Sequence, residues 1–129
     1  MSTGQTPTLA GCLRNYAAVA AAAATYGQRI AVIPAGERWR DDGSLRPAYE
    51  DWLGAGAIIS QLAGRLSPEA RAARAAFLDA QPDLVTLIAA CGSAKEHSGQ
   101  GLAENVRLAT ALNVSDCAPV LVAGAYRRI

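Results

Sequence analysis

The sequence predicts an α/β fold: layered, with a short parallel or mixed sheet flanked by helices and a helix-rich second half. Three observations predict it. An alanine-rich segment, 15–26, is followed at once by a β-branched apolar run, 29–33. With a short apolar stretch at 8–12 in front, strand, helix and strand succeed one another at the spacing of a right-handed parallel βαβ unit. Pro47 and Pro68 each open a segment with acidic residues in its first turn, the pattern of a helix N-terminus. A last apolar run, Pro119–Val122, reads as a closing strand.

Taken in order, residues 1–8 are small and polar and read as a frayed or disordered start. Residues 9–129 form a single α/β domain, since 129 residues suffice for one real core and no repeat or linker divides them. The helix 15–26 takes Asn15 as its N-cap and Gly27 as a left-handed stop. Residues 29–33 are the best strand, bounded by Pro34. The helix opened by Pro47 runs to about residue 63, before Gly64. Its Gly54-Ala55-Gly56-Ala57 stretch is poor in helix propensity, each Gly costing about 1 kcal/mol against Ala. Close approach to a sheet or a neighbouring helix is the structural reason for such a stretch. Ser67, Pro68 and Glu69 supply an N-cap, a first-turn proline and a first-turn carboxylate for a helix reaching about Ala80. A short helix follows Pro82 and Asp83 over 84–90, and another covers 101–112.

Composition bounds the function. About half the residues are apolar (51%) but only 5% are aromatic, so the core is built from closely approaching backbones. A net charge of +1 does not supply the basic surface that nonspecific nucleic-acid binding needs, and no nucleic-acid partner is expected. The alanine run at 17–24 is too short for a membrane span of about 20 residues and reads as a buried helix. The N-terminal sequence lacks the basic and apolar regions of a signal peptide. Cys12, Cys91 and Cys117 are widely spaced, and the chain holds one histidine, His97. That excludes an ordinary zinc site and suits a reducing cytoplasm.

The stretch 32–59, VIPAGERWRDDGSLRPAYEDWLGAGAII, concentrates the chemistry. It runs from an apolar strand through a charged loop into a helix N-terminus, the order in which α/β proteins place anion or metal sites. Glu50 and Asp51 either complement the helix dipole or bind magnesium, which takes one or two carboxylates together with water and phosphate oxygens. Adjacent helix residues point about 100° apart, so one of the pair serves as ligand and the other as a partner to it. Glu37, Arg38, Arg40 and Arg46 form surface ion pairs with Asp41 and Asp42, or the arginines grip an anionic substrate through their guanidinium forks. Arg14 and Asn15 occupy the equivalent strand–helix junction one unit earlier, so both polar clusters can converge on one crevice. Asn15 as a plain N-cap is the competing reading. Ser93 and Glu96 read as a capping box rather than as catalytic partners of His97, and Cys91 reads as packing.

GCLRN (11–15), IPAGERW (33–39), DGSLRPAYEDWLGAGAI (42–58), SPEA (67–70), the segment 91–96 and LNVSDCAPVL (112–121) together resemble the 2-phosphosulfolactate phosphatases, most closely their bacterial branch. The likeness extends from about Leu9 onward and is most specific over 33–58. It implies a cytoplasmic enzyme that uses Mg2+ to hydrolyse 2-phospho-3-sulfolactate, a step towards coenzyme M, or another phosphorylated sulfo- or hydroxy-acid. The partner implied is thus a small, multiply anionic phosphorylated substrate. On that resemblance Glu37 and Glu50 are the catalytic candidates, Asp51 the metal ligand, and Arg14, Asn15, Arg38 and Arg46 the substrate-binding set.

The pattern departs from the family in two respects. The chain corresponds to the C-terminal half of family members, so the acidic equipment of an upstream half is expected to be missing. The motif resembling C-x-S-G-x-E-L reads CGSAKEH, with Ala94 and His97 substituted, and Asn105 stands where an aspartate is usual. The resulting expectation is a phosphatase site incomplete in this chain, completed by another polypeptide or a second copy. The alternative is a noncatalytic truncated domain that binds small anions or assembles with a partner. A sheet edge left open would favour homo-oligomers.

Overall fold

The computed structural model describes residues 6–96 and 101–128. Its elements are α1 (Tyr16–Tyr26), β1 (Glu37–Arg38), β2 (Leu45–Arg46), α2 (Tyr49–Ser60), α3 (Pro68–Ala80), a 3-10 turn (Gln81–Asp83), α4 (Leu84–Ala90), α5 (Gly92–Glu96), α6 (Leu102–Ala109), β3 (Pro119–Val122) and β4 (Ala125–Arg128). The mixed α/β class and the helix-rich second half are as the sequence predicts. The parallel pairing is not: among the described residues both sheets are two-stranded antiparallel hairpins, β1–β2 and β3–β4.

The expected βαβ unit is therefore absent. Residues 29–33 form no ladder, although their composition is the most strand-like in the chain. Strand propensity describes the fit of side chains to a pleated neighbour, and this segment lines a cavity facing α2 and α3 instead of pairing with another strand. The expected strand at 8–12 shrinks to one antiparallel bridge, Leu9 to Val120. Backbone bonds from Ala10 N to Pro119 O (3.0 Å) and from Leu121 N to Thr8 O (2.8 Å) secure it to β3. Residue 8 is thus held in the fold; residues 1–5 lie outside the described residues.

Helix starts follow the sequence closely, and stops less so. Ser67 caps α3 by accepting a hydrogen bond from Ala70 N at 3.2 Å, as an N-cap serine should. α2 begins two residues after Pro47 and ends at Ser60, earlier than expected. α1 ends at Tyr26, but Gly27 is in an extended rather than left-handed conformation. α1 is also less buried than its alanine run suggests: Val19 and Ala20 are inside while Ala21, Ala24, Thr25 and Tyr26 face solvent. β4 was not anticipated. It returns on β3 through Ala123 and Gly124, both with positive φ, as a two-residue hairpin turn requires.

The core forms where α2 crosses α3. Leu53, Ala57, Phe77, Ala80, Leu84, Ile88 and Val106 pack around Leu13. Among the described residues Leu53 and Phe77 are the largest side chains to be fully enclosed, and the Tyr16 ring meets Phe77 at 5.9 Å. The two helices can approach this closely because of Gly56. A Cβ placed there would stand 2.1 Å from Ala73 O and 2.8 Å from the Phe77 Cβ. The neighbour that the Gly-Ala stretch accommodates is a helix. A second cluster, Val19, Ala20, Ile58 and Ala118, fastens α1 and the segment before β3 to the other side of α2.

Candidate functional site

The charged loop of the sequence is a hairpin whose arms deliver Glu37 and Arg46 side by side, paired in register across β1 and β2. Its tip is closed by its own polar groups. Asp42 Oδ1 accepts from Ser44 N (2.9 Å) and Ser44 Oγ (2.7 Å), which holds the Asp42 carboxyl below its usual range. Arg38 Nη1 donates to Gly43 O at 2.6 Å. The arginine pairs expected with Asp41 and Asp42 therefore do not form among the described residues. The acids of the tip organise the turn, and Arg46 takes other partners.

Arg46 is the centre of the cluster. Its side chain is 13% exposed and its guanidinium carries two carboxylates. Glu96 occupies one edge in the bidentate manner, Nη1 to Oε1 at 2.5 Å and Nη2 to Oε2 at 3.0 Å. Glu37 Oε2 accepts from Nη2 as well. The Trp39 ring lies 5.0 Å from the guanidinium carbon, within reach of a cation–π interaction. Bonds to Glu96 and then Glu37 raise the arginine's pKa above its usual range, so it is permanently charged. Its Nε is buried without a partner among the described residues.

Below this pair stands the first turn of α2. Neither Glu50 nor Asp51 caps the helix: Ala48 is at the N-cap and makes no side-chain bond. Asp51 Oδ2 instead accepts from Gly36 N at 2.8 Å. Gly36 can present that N–H because its φ is +71° and because a Cβ there would approach Arg46 O to 2.8 Å. The Pro34-Ala35-Gly36 break in the sequence is thus the turn that binds Asp51. Burial, followed by the charges of Glu50 and Glu37, raises the Asp51 pKa against the opposing Gly36 bond. Glu50 is engaged from the other side, where the Cys91 thiol donates to its Oε2 at 3.7 Å.

The structure therefore gathers Glu37, Arg46, Glu50 and Asp51 around one hairpin and one helix start. It adds Glu96 and Cys91, which read from the sequence as a cap and as packing, and Trp39, to which the sequence assigned no role. Glu96 is no capping partner of Ser93, which lies inside α5; its carboxylate reaches fifty residues back to Arg46. Cys91 contacts Glu50, and Trp39 faces Arg46. The only sequence signal for the 91–96 segment was the family resemblance, because long-range pairing leaves no local pattern. His97 lies outside the described residues.

Arg14 and Asn15 are used elsewhere. Arg14 Nη1 donates to Leu108 O at 2.6 Å, at the carboxyl end of α6, where a cation complements the helix dipole. Asn15 is 8% exposed and makes no cap bond. Its Oδ1 accepts from Cys12 N (2.8 Å) and its Nδ2 donates to Cys117 O (2.9 Å) and Ala10 O (3.3 Å). This amide ties the turn before α1 to the segment before β3, a use of the side chain richer than a plain N-cap.

Among the described residues no three His, Cys, Asp or Glu side chains gather closely enough to hold a metal ion by themselves. A cavity of about 440 Å³ lies to one side of the charged cluster, between Ile30, Val32 and Pro34 and the helices α2 and α3. Its lining is mainly apolar, with Arg65 and Glu69 at the α3 end. No helix among the described residues is long and apolar enough to cross a membrane. The family model for 2-phosphosulpholactate phosphatase matches residues 2–124. No curated protein matches the chain.

Proposed function

The chain belongs to the 2-phosphosulpholactate phosphatase family, and from that premise we propose that it hydrolyses the phosphate monoester of a small sulfo- or hydroxy-acid. The observation that carries this reading is the convergence of Glu37, Arg46, Glu50, Asp51 and Glu96 on one hairpin and helix start. A phosphorylated sulfo-acid presents phosphate, sulfonate and carboxylate oxygens, all acceptors for a guanidinium fork. Arg46 is the anion-binding group at the centre, and Glu37 holds it in place. Arg38, exposed on the same hairpin and bonded to Gly43 O, and Arg14, at the end of α6, remain the further candidates for the substrate's other charges. Asn15 supports them by fixing the backbone on either side of Arg14.

The reaction needs a water proton removed as the water oxygen attacks phosphorus and the ester oxygen leaves with a proton. Glu50 already accepts a hydrogen bond from Cys91 and is the proposed base. Asp51 stands beside it in the first turn of α2. We assign Mg2+ as cofactor, with Asp51 as its protein ligand. The described residues fit such an ion only as a partial shell, which is how magnesium is commonly held: one or two carboxylates, with phosphate oxygens and water completing it. Bound there, the ion would neutralise phosphate charge. The family and the three free cysteines, Cys12 exposed among them, favour a cytoplasmic protein. Exposed Ile33 and Leu45 favour a homo-oligomer, in which a second copy could complete the site.

A second reading rests on the absence of a three-ligand group among the described residues: a noncatalytic domain that binds small anions. Turnover of phosphorylated hydroxy-acids by the purified chain, measured with Mg2+ and with EDTA, separates the two. Metal-dependent phosphate release that Asp51→Ala abolishes is the expected result. Anion binding without any release of phosphate would establish the second reading in place of the first.

A further inference from the structure

The guanidinium of Arg46 has two edges that can each grip a pair of oxygens. One is filled by both oxygens of Glu96; the other holds Glu37 through Nη2, with Nε buried and unpaired among the described residues. One positive charge thus faces two negative ones, and the acids are not held equally. The Glu37 side chain is 30% exposed and stands in register beside Arg46 on the adjoining strand. That of Glu96 is 41% exposed and arrives from a five-residue helix fifty positions away. Glu96 is thus the more solvent-exposed of the two carboxylates and the one that does not belong to the hairpin itself.

We propose that Glu96 is an internal stand-in for the substrate's anion: it occupies the Arg46 fork in the empty site, and a phosphorylated acid must displace it to bind. The bidentate geometry of Glu96 is the one a carboxylate or phosphate ligand uses on a guanidinium. A phosphate dianion competes for the same two N–H groups with more charge than the carboxylate it replaces. Displacement of Glu96 means that Arg46 faces Glu37 and the incoming anion, and no longer three anionic groups at once. Glu96 in this account sets how readily anions enter, and it touches no reacting atom. This assignment rests on the reading of Arg46 as the anion subsite.

Affinity for inorganic phosphate, measured by calorimetry on the full chain, tests it without requiring turnover. A self-occupied site binds its ligand more weakly by the fraction of time it is free. Glu96→Gln and Glu96→Ala are therefore expected to bind phosphate about two- to fivefold more tightly than the parent, the range an exposed pair can supply. Arg46→Ala should abolish the gain in either background. Circular dichroism melting identifies any variant that fails to fold. Unchanged or weaker phosphate binding in both folded Glu96 variants, with binding still dependent on Arg46, would overturn the stand-in alone. Phosphate binding indifferent to Arg46 would overturn the anion subsite and the stand-in together.

Discussion

Replacing Asp51 by Asn would keep an oxygen for the Gly36 N–H while removing a charge that burial and two neighbouring carboxylates disfavour. The sign of the effect follows from linkage. In the folded chain Asp51 retains its proton to a higher pH than in the unfolded chain. Between those two values the folded state binds more protons, so stability falls as pH rises through that window. Asp51→Asn should therefore be more stable than the parent above the window and no different below the ordinary aspartate range. Urea denaturation midpoints measured below the ordinary aspartate range and again near neutral pH check it. A stability gain confined to the acid side would contradict the assignment. The residue types at positions 37, 46, 50 and 51 mark them as candidates for a site from their spacing. Which of them touch was not legible in the sequence, because the Asp51–Gly36 and Arg46–Glu96 bonds join points 15 and 50 residues apart.

Two glycines in one helix show what an element can and cannot declare. Gly54 and Gly56 lie two residues apart in α2, and helix propensity treats them alike. Their surroundings differ. A Cβ on Gly54 would meet nothing closer than 3.9 Å, whereas one on Gly56 would collide with the α3 backbone at Ala73 and with Phe77. Gly54→Ala is expected to stabilise the protein by up to about 1 kcal/mol, the intrinsic helix preference. Gly56→Ala should destabilise it by about 1–3 kcal/mol, since overpacking outweighs that preference. Chemical denaturation of both variants decides it; equal effects would mean that α2 and α3 do not meet at Gly56. Capping was the most transparent part of the element scale. Ser67 acts as its sequence says because a cap is satisfied within three residues. Ser93 and Glu96 have the same spacing as a capping box, yet a distant arginine outcompetes the local bond for the carboxylate.

At the scale of the molecule, the segment 29–33 is the chief difference between expectation and structure. Its β-branched residues leave Ile33 78% exposed, next to a cavity floored by α2 and α3. Single exposed apolar residues are ordinary; one continuous with Ile30 and an open apolar cavity is less so. If this face joins copies of the chain, light scattering should show a species larger than one chain at tens of micromolar (about the range of modest interfaces). Ile33→Asp should shift it towards the monomer. A wild-type chain that stays monomeric there would remove the homo-oligomer from the proposed function.

The sequence by itself determined where helices begin, where along the chain the charged residues concentrate, and that Gly and Ala make room for a neighbour. Those features depend on properties local in the chain: a cap, a proline, a missing Cβ. The family, too, was legible there, in the motifs from 11 to 121. Only the tertiary structure decided that the strand-like run 29–33 has no ladder, that Asn15 joins two loops, and that Glu96 sits on Arg46. Each is a choice among partners far apart in the chain. Packing of α2 against α3 sets which of them come within hydrogen-bonding distance, and no local pattern encodes that distance.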